Sequence, residues 1–427
     1  MDLQFYLPIA ILALTLLFNV PITYGMLASG VFYLLVSGAD IGMIVDQVMG
    51  TMFTGYVLMA VPLFIFTANV MNSGKVTDSM FEFCKGLIGK KRGALAYVNV
   101  LISLIFSGMT GSAIADASGI GIIEINAMKK DGYDKPFSCA LTAASATIGP
   151  IFPPSIPFVI YAMLSGASVG SLFMGGMIPG LIIAVALVIY IAIISKKRKY
   201  PTGSVYTLKE FMHFTLKAFP ALLTPVILLV GIYSGIVTPT EAGAIAAFYS
   251  LIIAIFAYRV LTFKAFLKTL KDTALQTGAI TILTGAASVF SYIVARENMP
   301  AMIAGFMMSV TTNKYLILFF FNILFLILGM FLDTSTLQFI FIPMVLPIVN
   351  AVGIDLVHFG VVISLNMMIG LSTPPFGFLL FITSGISKTP MVDIVREILP
   401  MVGVLLIVLF LITFIPDIVL FVPRMLR

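Results

Sequence analysis

The sequence has 427 residues, 60% of them hydrophobic and only 10% charged. Soluble globular domains carry about 25% charged residues, so a chain this apolar and this long is a polytopic membrane protein, with no room for a sizeable soluble domain. The net charge of +6 reads as membrane topology rather than affinity for nucleic acid, because lysine and arginine orient membrane loops and no basic patch with interleaved aromatic residues occurs.

A spanning helix needs roughly 20 apolar residues. The opening segment MDLQFYLPIAILAL lacks the positively charged n-region of a cleavable signal peptide and reads as the first span. Residues 1–74 contain no lysine or arginine; Lys85, Lys90, Lys91 and Arg92, then Lys129, Lys130 and Lys135, follow in two clusters that the positive-inside rule puts in the cytoplasm. The stretch between them, 94–127, is too short for two spans and a turn and has the wrong parity for one. It is predicted to be a re-entrant helical hairpin, turning at Ser107, Gly108, Met109, Thr110, Gly111 and Ser112. Each limb of about 14 residues reaches only about 21 Å, part of the way across the bilayer. A proline-broken helix over about 138–165 and a further span complete a unit of residues 1–200.

Residues 201–427 repeat the plan, with a second hairpin over about 315–350 that turns at Asp333, Thr334, Ser335 and Thr336, and a second broken helix over about 357–386. Pro21 and Gly25 answer Pro239 and Gly243, Thr54–Gly55 answers Thr277–Gly278, and Gly149 with Pro153–Pro154 answers Gly370 with Pro374–Pro375. Each of those glycines is followed by a later proline, Pro179 or Pro400. Five full crossings per unit is an odd number, so the second unit lies inverted, the plan of many secondary transporters. The predicted fold is therefore all-α, with two inverted repeats, about ten transmembrane helices and two re-entrant hairpins. The basic run Lys196–Lys199 fixes the inside face and puts both termini outside, with Arg424 and Arg427 mildly opposed.

Two partial hairpins entering from opposite faces bring their tips together near mid-membrane, and irregular backbone is tolerated at that depth only where protein buries it or it lines a cavity. Proline in a helix also frees the carbonyl four residues before it. Here those are the carbonyls of Gly149, Pro150, Gly370 and Leu371. Freed carbonyls beside hydroxyls suit a dehydrated alkali cation: Ser107, Gly108, Thr110, Gly149 and Pro150 on one side, and Thr334, Thr336, Gly370 and Thr373 on the other. Asp333, the one charge within the second hairpin, is costly at that depth and reads either as a substrate or ion contact or as a helix N-cap. Ser112, Ser155 and Ser335 are candidates for hydrogen bonds to an organic acid, the bland alternative being helix packing.

Other residues carry bland readings. Asp116 reads as stabilising a helix terminus, Glu241 as a first-turn scaffold residue, and His213 and His358 as residues at the membrane edge. Cys84 and Cys139 form neither a disulfide framework nor a metal motif. No nucleophile and base pair up, which argues against an enzyme.

The segments FSGMTGSAIADASGIG (106–121), GPIFPPSIPF (149–158), GIVTPTEAGA (235–244), GMFLDTST (329–336) and GLSTPPFGF (370–378) resemble, in order and over essentially the whole chain, the large membrane subunit of tripartite ATP-independent periplasmic (TRAP) transporters. The resemblance implies a bacterial inner-membrane protein working as an elevator, with a transport domain sliding against a scaffold. It implies sodium ions as coupling ions and no other cofactor, a small four-helix membrane subunit, and a periplasmic binding protein that delivers an organic acid such as a sialic acid or C4-dicarboxylate. A self-sufficient sodium/carboxylate symporter of the same plan is the alternative.

Overall fold

The computed structural model describes residues 3–18, 20–72 and 74–426. Among them the chain is all-helical, with twenty-one α-helices and no strand. Residues 208–233, 239–257, 263–296, 169–197 and 391–414 form helices long and apolar enough to cross a bilayer unaided, and Met43–Thr54 and Tyr56–Met71 make one bent span, turning by 64°. The shorter apolar helices Leu3–Leu17 and Ile22–Ser37 and the two interrupted helices accompany them.

Local chemistry sets the boundaries. Thr207 and Thr238 each open a helix with a capping box, their side chains accepting from the backbone of Glu210 and Glu241 while those glutamates bond back. Two orphan donors at each helix start are thereby satisfied, and Glu241 has the scaffold role expected of it. The Thr54–Gly55 and Thr277–Gly278 matches have different outcomes: the first unit breaks at Gly55, whereas Gly278 lies inside the unbroken helix Phe263–Arg296.

The first hairpin consists of Ala94–Thr110, a turn at Gly111 and Ser112, and a return limb of Ala113–Ser118 and Ile120–Lys130. Gly111 has φ +60°, a conformation glycine adopts without penalty. The second hairpin is Lys314–Gly329 and Thr334–Ala351. The first interrupted helix runs as Lys135–Ser145, a 3-10 turn, irregular backbone to Ser155, then Ile156–Ser165; the second runs as Leu356–Leu371, a break, then Phe378–Ser387. Both hairpins and both interrupted helices fall within three residues of their sequence-based bounds.

Packing divides the helices into two sets. Ile22–Ser37, Met43–Thr54, Ala60–Met71 and Pro239–Ile252 gather around Phe263–Arg296 and one another. The hairpins and interrupted helices pack together and exchange partners: Ile156–Ser165 lies on Thr334–Ala351 of the second hairpin, and Phe378–Ser387 lies on Ala113–Ser118 of the first. A polar ladder ties the second hairpin down. Asn366 donates to the backbone and side-chain oxygens of Asn322 at 2.9 and 2.8 Å, and Asn322 donates to Thr413 at 2.9 Å.

His358 does not sit at the surface as expected. It is 3% exposed, and its Nε2 lies 2.8 Å from the Ile412 carbonyl on Met391–Phe414. An imidazole meeting a carbonyl that its neighbour's helix presents can be buried; the sequence does not reveal that partner. Cys84 and Cys139 are both free and buried.

Candidate functional site

The two hairpin tips open onto one cavity of about 840 Å³. The first tip contributes Thr110, Gly111, Ser112 and Ala113, and the second contributes Asp333, Thr334, Ser335 and Thr336. Pro150, Ile156 and Phe378 line it from the interrupted helices, and Asn69, Asn72 and Gln276 from the other helix set. Asp333 is the one charged lining side chain among the described residues.

Each tip is clasped to the break of its own unit. The backbone N–H of Ile156 donates to the Gly111 carbonyl at 3.3 Å, and a Cβ on Gly149 would lie 3.5 Å from the Ser112 backbone. In the second unit, Gly329, four residues before Asp333, crosses Gly370 so closely that a Cβ on Gly370 would come within 2.6 Å of the Gly329 backbone.

Thr110 ends the outgoing limb of the first hairpin and Thr334 begins the return limb of the second. Both are buried, and their hydroxyls have no hydrogen-bond partner. A buried hydroxyl without a partner costs about 1–3 kcal/mol, and here two of them, one from each tip, line one cavity. The Gly149 carbonyl likewise meets no backbone N–H outside the helices among the described residues. Ser107 is buried nearby and donates to the Leu104 carbonyl at 2.6 Å, leaving its oxygen lone pairs available. Thr336 and Thr373 are also buried; Thr336 donates to Asp333, and Thr373 donates to the Ile369 carbonyl at 2.6 Å.

Several of the expected ligand residues also have engagements within the fold. The Pro150 carbonyl is not free, because Ser155 Oγ donates to it. Ser155 in turn caps Ile156–Ser165, accepting from the Phe158 N–H at 3.2 Å; it is wholly buried and is not among the residues lining the cavity. Its hydroxyl is therefore committed to the helix start. The Gly370 carbonyl accepts the Thr373 N–H at 2.9 Å, and the missing side chain at Gly370 serves the helix crossing. Gly108 sits inside Ala94–Thr110, where a Cβ would meet Pro225 at 2.6 Å, so it too is a packing glycine.

Of the two roles left open for Asp333, the structure shows the N-cap. Its carboxylate caps Thr334–Ala351, accepting from the Thr336 N–H at 3.1 Å and from the Thr336 hydroxyl, while remaining exposed to the cavity. Ser112 caps Ala113–Ser118 and also lines the cavity, as does Ser335. Asp116 is the acidic residue in the first turn of Ala113–Ser118, but the cap itself is Ser112, and the Asp116 carboxylate is buried behind the tip. Sequence reasoning missed Asn69, Asn72 and Gln276. Gln276 stands next to the matched Thr277–Gly278, which was the available signal; for the two asparagines nothing in the local sequence distinguishes a lining residue from a helix end.

Residues 9–418 match the model of the tripartite ATP-independent periplasmic transporter, DctM component. The chain is 40% identical to the sialic acid TRAP transporter large permease protein SiaM of Vibrio cholerae, over 92% of both chains. It is 36% identical to the sialic acid TRAP transporter permease protein SiaT of Haemophilus influenzae, over 99% of this chain and 68% of that one. The C4-dicarboxylate TRAP transporter large permease protein DctM of Pseudomonas aeruginosa is 35% identical over 86% of both. Among solved structures, the Alcanivorax borkumensis YdaH transporter superposes with a TM-score of 0.63 at 13% identity, over 87% of this chain and 86% of that one, a likeness of fold alone.

Proposed function

The chain belongs to the DctM-component family of TRAP transporters, a family of multi-pass membrane permeases and not of enzymes, and from that premise we propose that it imports an organic acid across the inner membrane with sodium as the coupling ion. The observation that carries the reading is the pair of unpartnered, buried hydroxyls of Thr110 and Thr334 at the two tips of one cavity. An alkali cation takes neutral oxygen ligands, and an ion bound beside each tip would supply positive charge in a cavity lined by no lysine or arginine among the described residues. The substrate carboxylate is then held by the bound ions and by tip N–H groups.

Asp333 narrows the substrate. An ionised carboxylate only accepts hydrogen bonds, so it selects a guest that also carries hydroxyl or amide donors. This favours a polyhydroxylated acid of the sialic acid kind over a plain C4-dicarboxylate. The division of the helices into two packed sets supports an elevator, with hairpins and interrupted helices as the moving body and the inverted repeats supplying one hairpin from each face. As in the family, a small membrane subunit and a periplasmic binding protein complete the system.

The test is uptake into proteoliposomes containing both membrane subunits, with sialic acid and a C4-dicarboxylate as substrates. The sodium gradient is imposed or collapsed, and the binding protein is present or absent. Uptake that survives collapse of the sodium gradient refutes the coupling, and full uptake without the binding protein makes the chain a self-sufficient symporter.

Thr110→Val and Thr334→Val probe the ion ligands directly. Each removes one oxygen at nearly constant volume, so the concentration of sodium that half-activates uptake should rise about tenfold, the equivalent of about 1.4 kcal/mol. Since neither hydroxyl makes a hydrogen bond in the folded chain, melting temperature without sodium should hold or rise while the stabilisation by added sodium shrinks. Unchanged sodium activation in both variants removes these residues from the ion sites.

A further inference from the structure

Behind the first tip, away from the cavity, lies a polar cluster that the transport reading does not use. Glu124 and Asp116, on the two segments of the return limb, are each 1% exposed, and their charges act on one another. Asn99 Nδ2 donates to Glu124 Oε2 at 2.7 Å and to Thr142 Oγ1 at 2.8 Å. Ser145 Oγ donates to Asn99 Oδ1 at 2.7 Å, and Ser103 Oγ reaches Ser145 at 3.2 Å. This ladder links the outgoing limb, the return limb and the first interrupted helix.

Donor counting shows what the cluster lacks. A serine or threonine hydroxyl has one hydrogen and an asparagine amide two; both of Asn99's and the one of Ser145 are engaged. Ser103 has a single hydrogen to divide between Ser145 and Asp116, which it also faces, and Thr142, which accepts from Asn99, has one to turn toward Glu124. Those two hydrogens cannot satisfy the three buried oxygens that make no well-formed hydrogen bond, both of Asp116 and Oε1 of Glu124.

Nor does a cationic side chain answer the two carboxylates. On the elements packed around them, Lys75, Lys129, Lys130, Lys135 and Lys388 are exposed, and Lys85 is paired with Glu82 at 2.9 Å. The remaining titratable neighbours are acids: Cys84 faces Glu124, and Cys139 is turned toward Ser387 at 3.0 Å. No group of three or more metal-ligating side chains occurs among the described residues. Leaving two anions together in such a place costs several kcal/mol per ion. One hydrogen removes a charge and supplies the missing donor at once.

We propose that Asp116 and Glu124 form a proton-binding site, the pair sharing one proton at neutral pH so that one of the two is a carboxylic acid. The first hairpin then crosses the membrane field with one buried charge fewer, and the proton site is distinct from the cation ligands at the tip. The assignment stands independently of sodium coupling, because its test requires no transport.

Infrared spectra of the purified chain at neutral pH and saturating sodium should contain the carbonyl stretch of an un-ionised carboxylic acid, shifted by exchange into heavy water. Carboxyl-labelled aspartate or glutamate should move this band in the wild-type protein, so the test does not depend on a variant folding. In Asp116→Asn/Glu124→Gln the band should be lost. Absence of the band in wild-type protein, a band that neither label moves, or one that persists in the double variant overturns the proposal.

Discussion

Asp333→Ala is expected to reduce sodium-driven uptake at least about 100-fold while the protein remains inserted and folded. Two losses are involved, and they separate. As a cap, the carboxylate accepts the Thr336 N–H and hydroxyl, and replacing an N-cap aspartate with alanine costs about 0.5–2 kcal/mol, which a chain of this size survives. As a ligand, an ionised acceptor contributes about 1.5–3 kcal/mol per hydrogen bond, so two donors on the substrate account for the predicted fall at 1.4 kcal/mol per factor of ten. Asp333→Asn distinguishes the roles because asparagine is as good an N-cap yet carries no charge. Melting temperature should be restored in Asp333→Asn and uptake should not. Wild-type uptake by the asparagine variant would reduce Asp333 to a cap and withdraw the preference for hydroxylated acids.

What the sequence revealed and what it hid follow from the range of the interactions concerned. Helix breaks are local: Gly111 and the proline pairs at 153–154 and 374–375 carry their conformational limits with them, so the hairpins and interrupted helices were placed within a turn of their bounds. The meeting of the tips was also legible, because matched order in two units is a chain-length pattern. Glycine has a role the sequence hid where its neighbour lies in another helix. Gly370 and Gly108 stand out as backbone ligands beside irregular segments, and their absent side chains also make room for Gly329 and Pro225. Ser155 carried an overlooked local signal, since a serine just before Ile156 and Pro157 is the pattern of an N-cap followed by early helical proline. Asp116 shows the opposite limit. Its spacing from Ser112 suggested a helix terminus, whereas its partner in the cluster, Glu124, lies across the Gly119 break.

Gly370→Ala is expected to damage both the stability and the sodium response of the transport core. The added Cβ would lie 2.6 Å from the Gly329 carbonyl carbon, 2.7 Å from its Cα and 3.0 Å from its oxygen. Carbon atoms are at rest about 3.5–4.0 Å apart, so Leu356–Leu371 and Lys314–Gly329 must separate by about 1 Å. No side chain can rotate away, because every atom in contact is backbone. Against this, alanine gains about 1 kcal/mol over glycine in a helix, while overpacking costs about 1–3 kcal/mol and a backbone clash lies at or beyond the upper end. The clash decides the sign. Separation would also strain the Asn366–Asn322–Thr413 ladder on the same helices and move the tip that carries Asp333 and Thr334. A melting temperature lowered by several degrees and a loss of sodium-dependent stabilisation are therefore expected together. Gly403→Ala is the control: in Met391–Phe414 a Cβ there meets nothing within 4 Å, so the helix gain acts alone and stability should hold or rise. If Gly370→Ala melts and transports as Gly403→Ala does, the close crossing beneath the second tip is not what holds that tip in place.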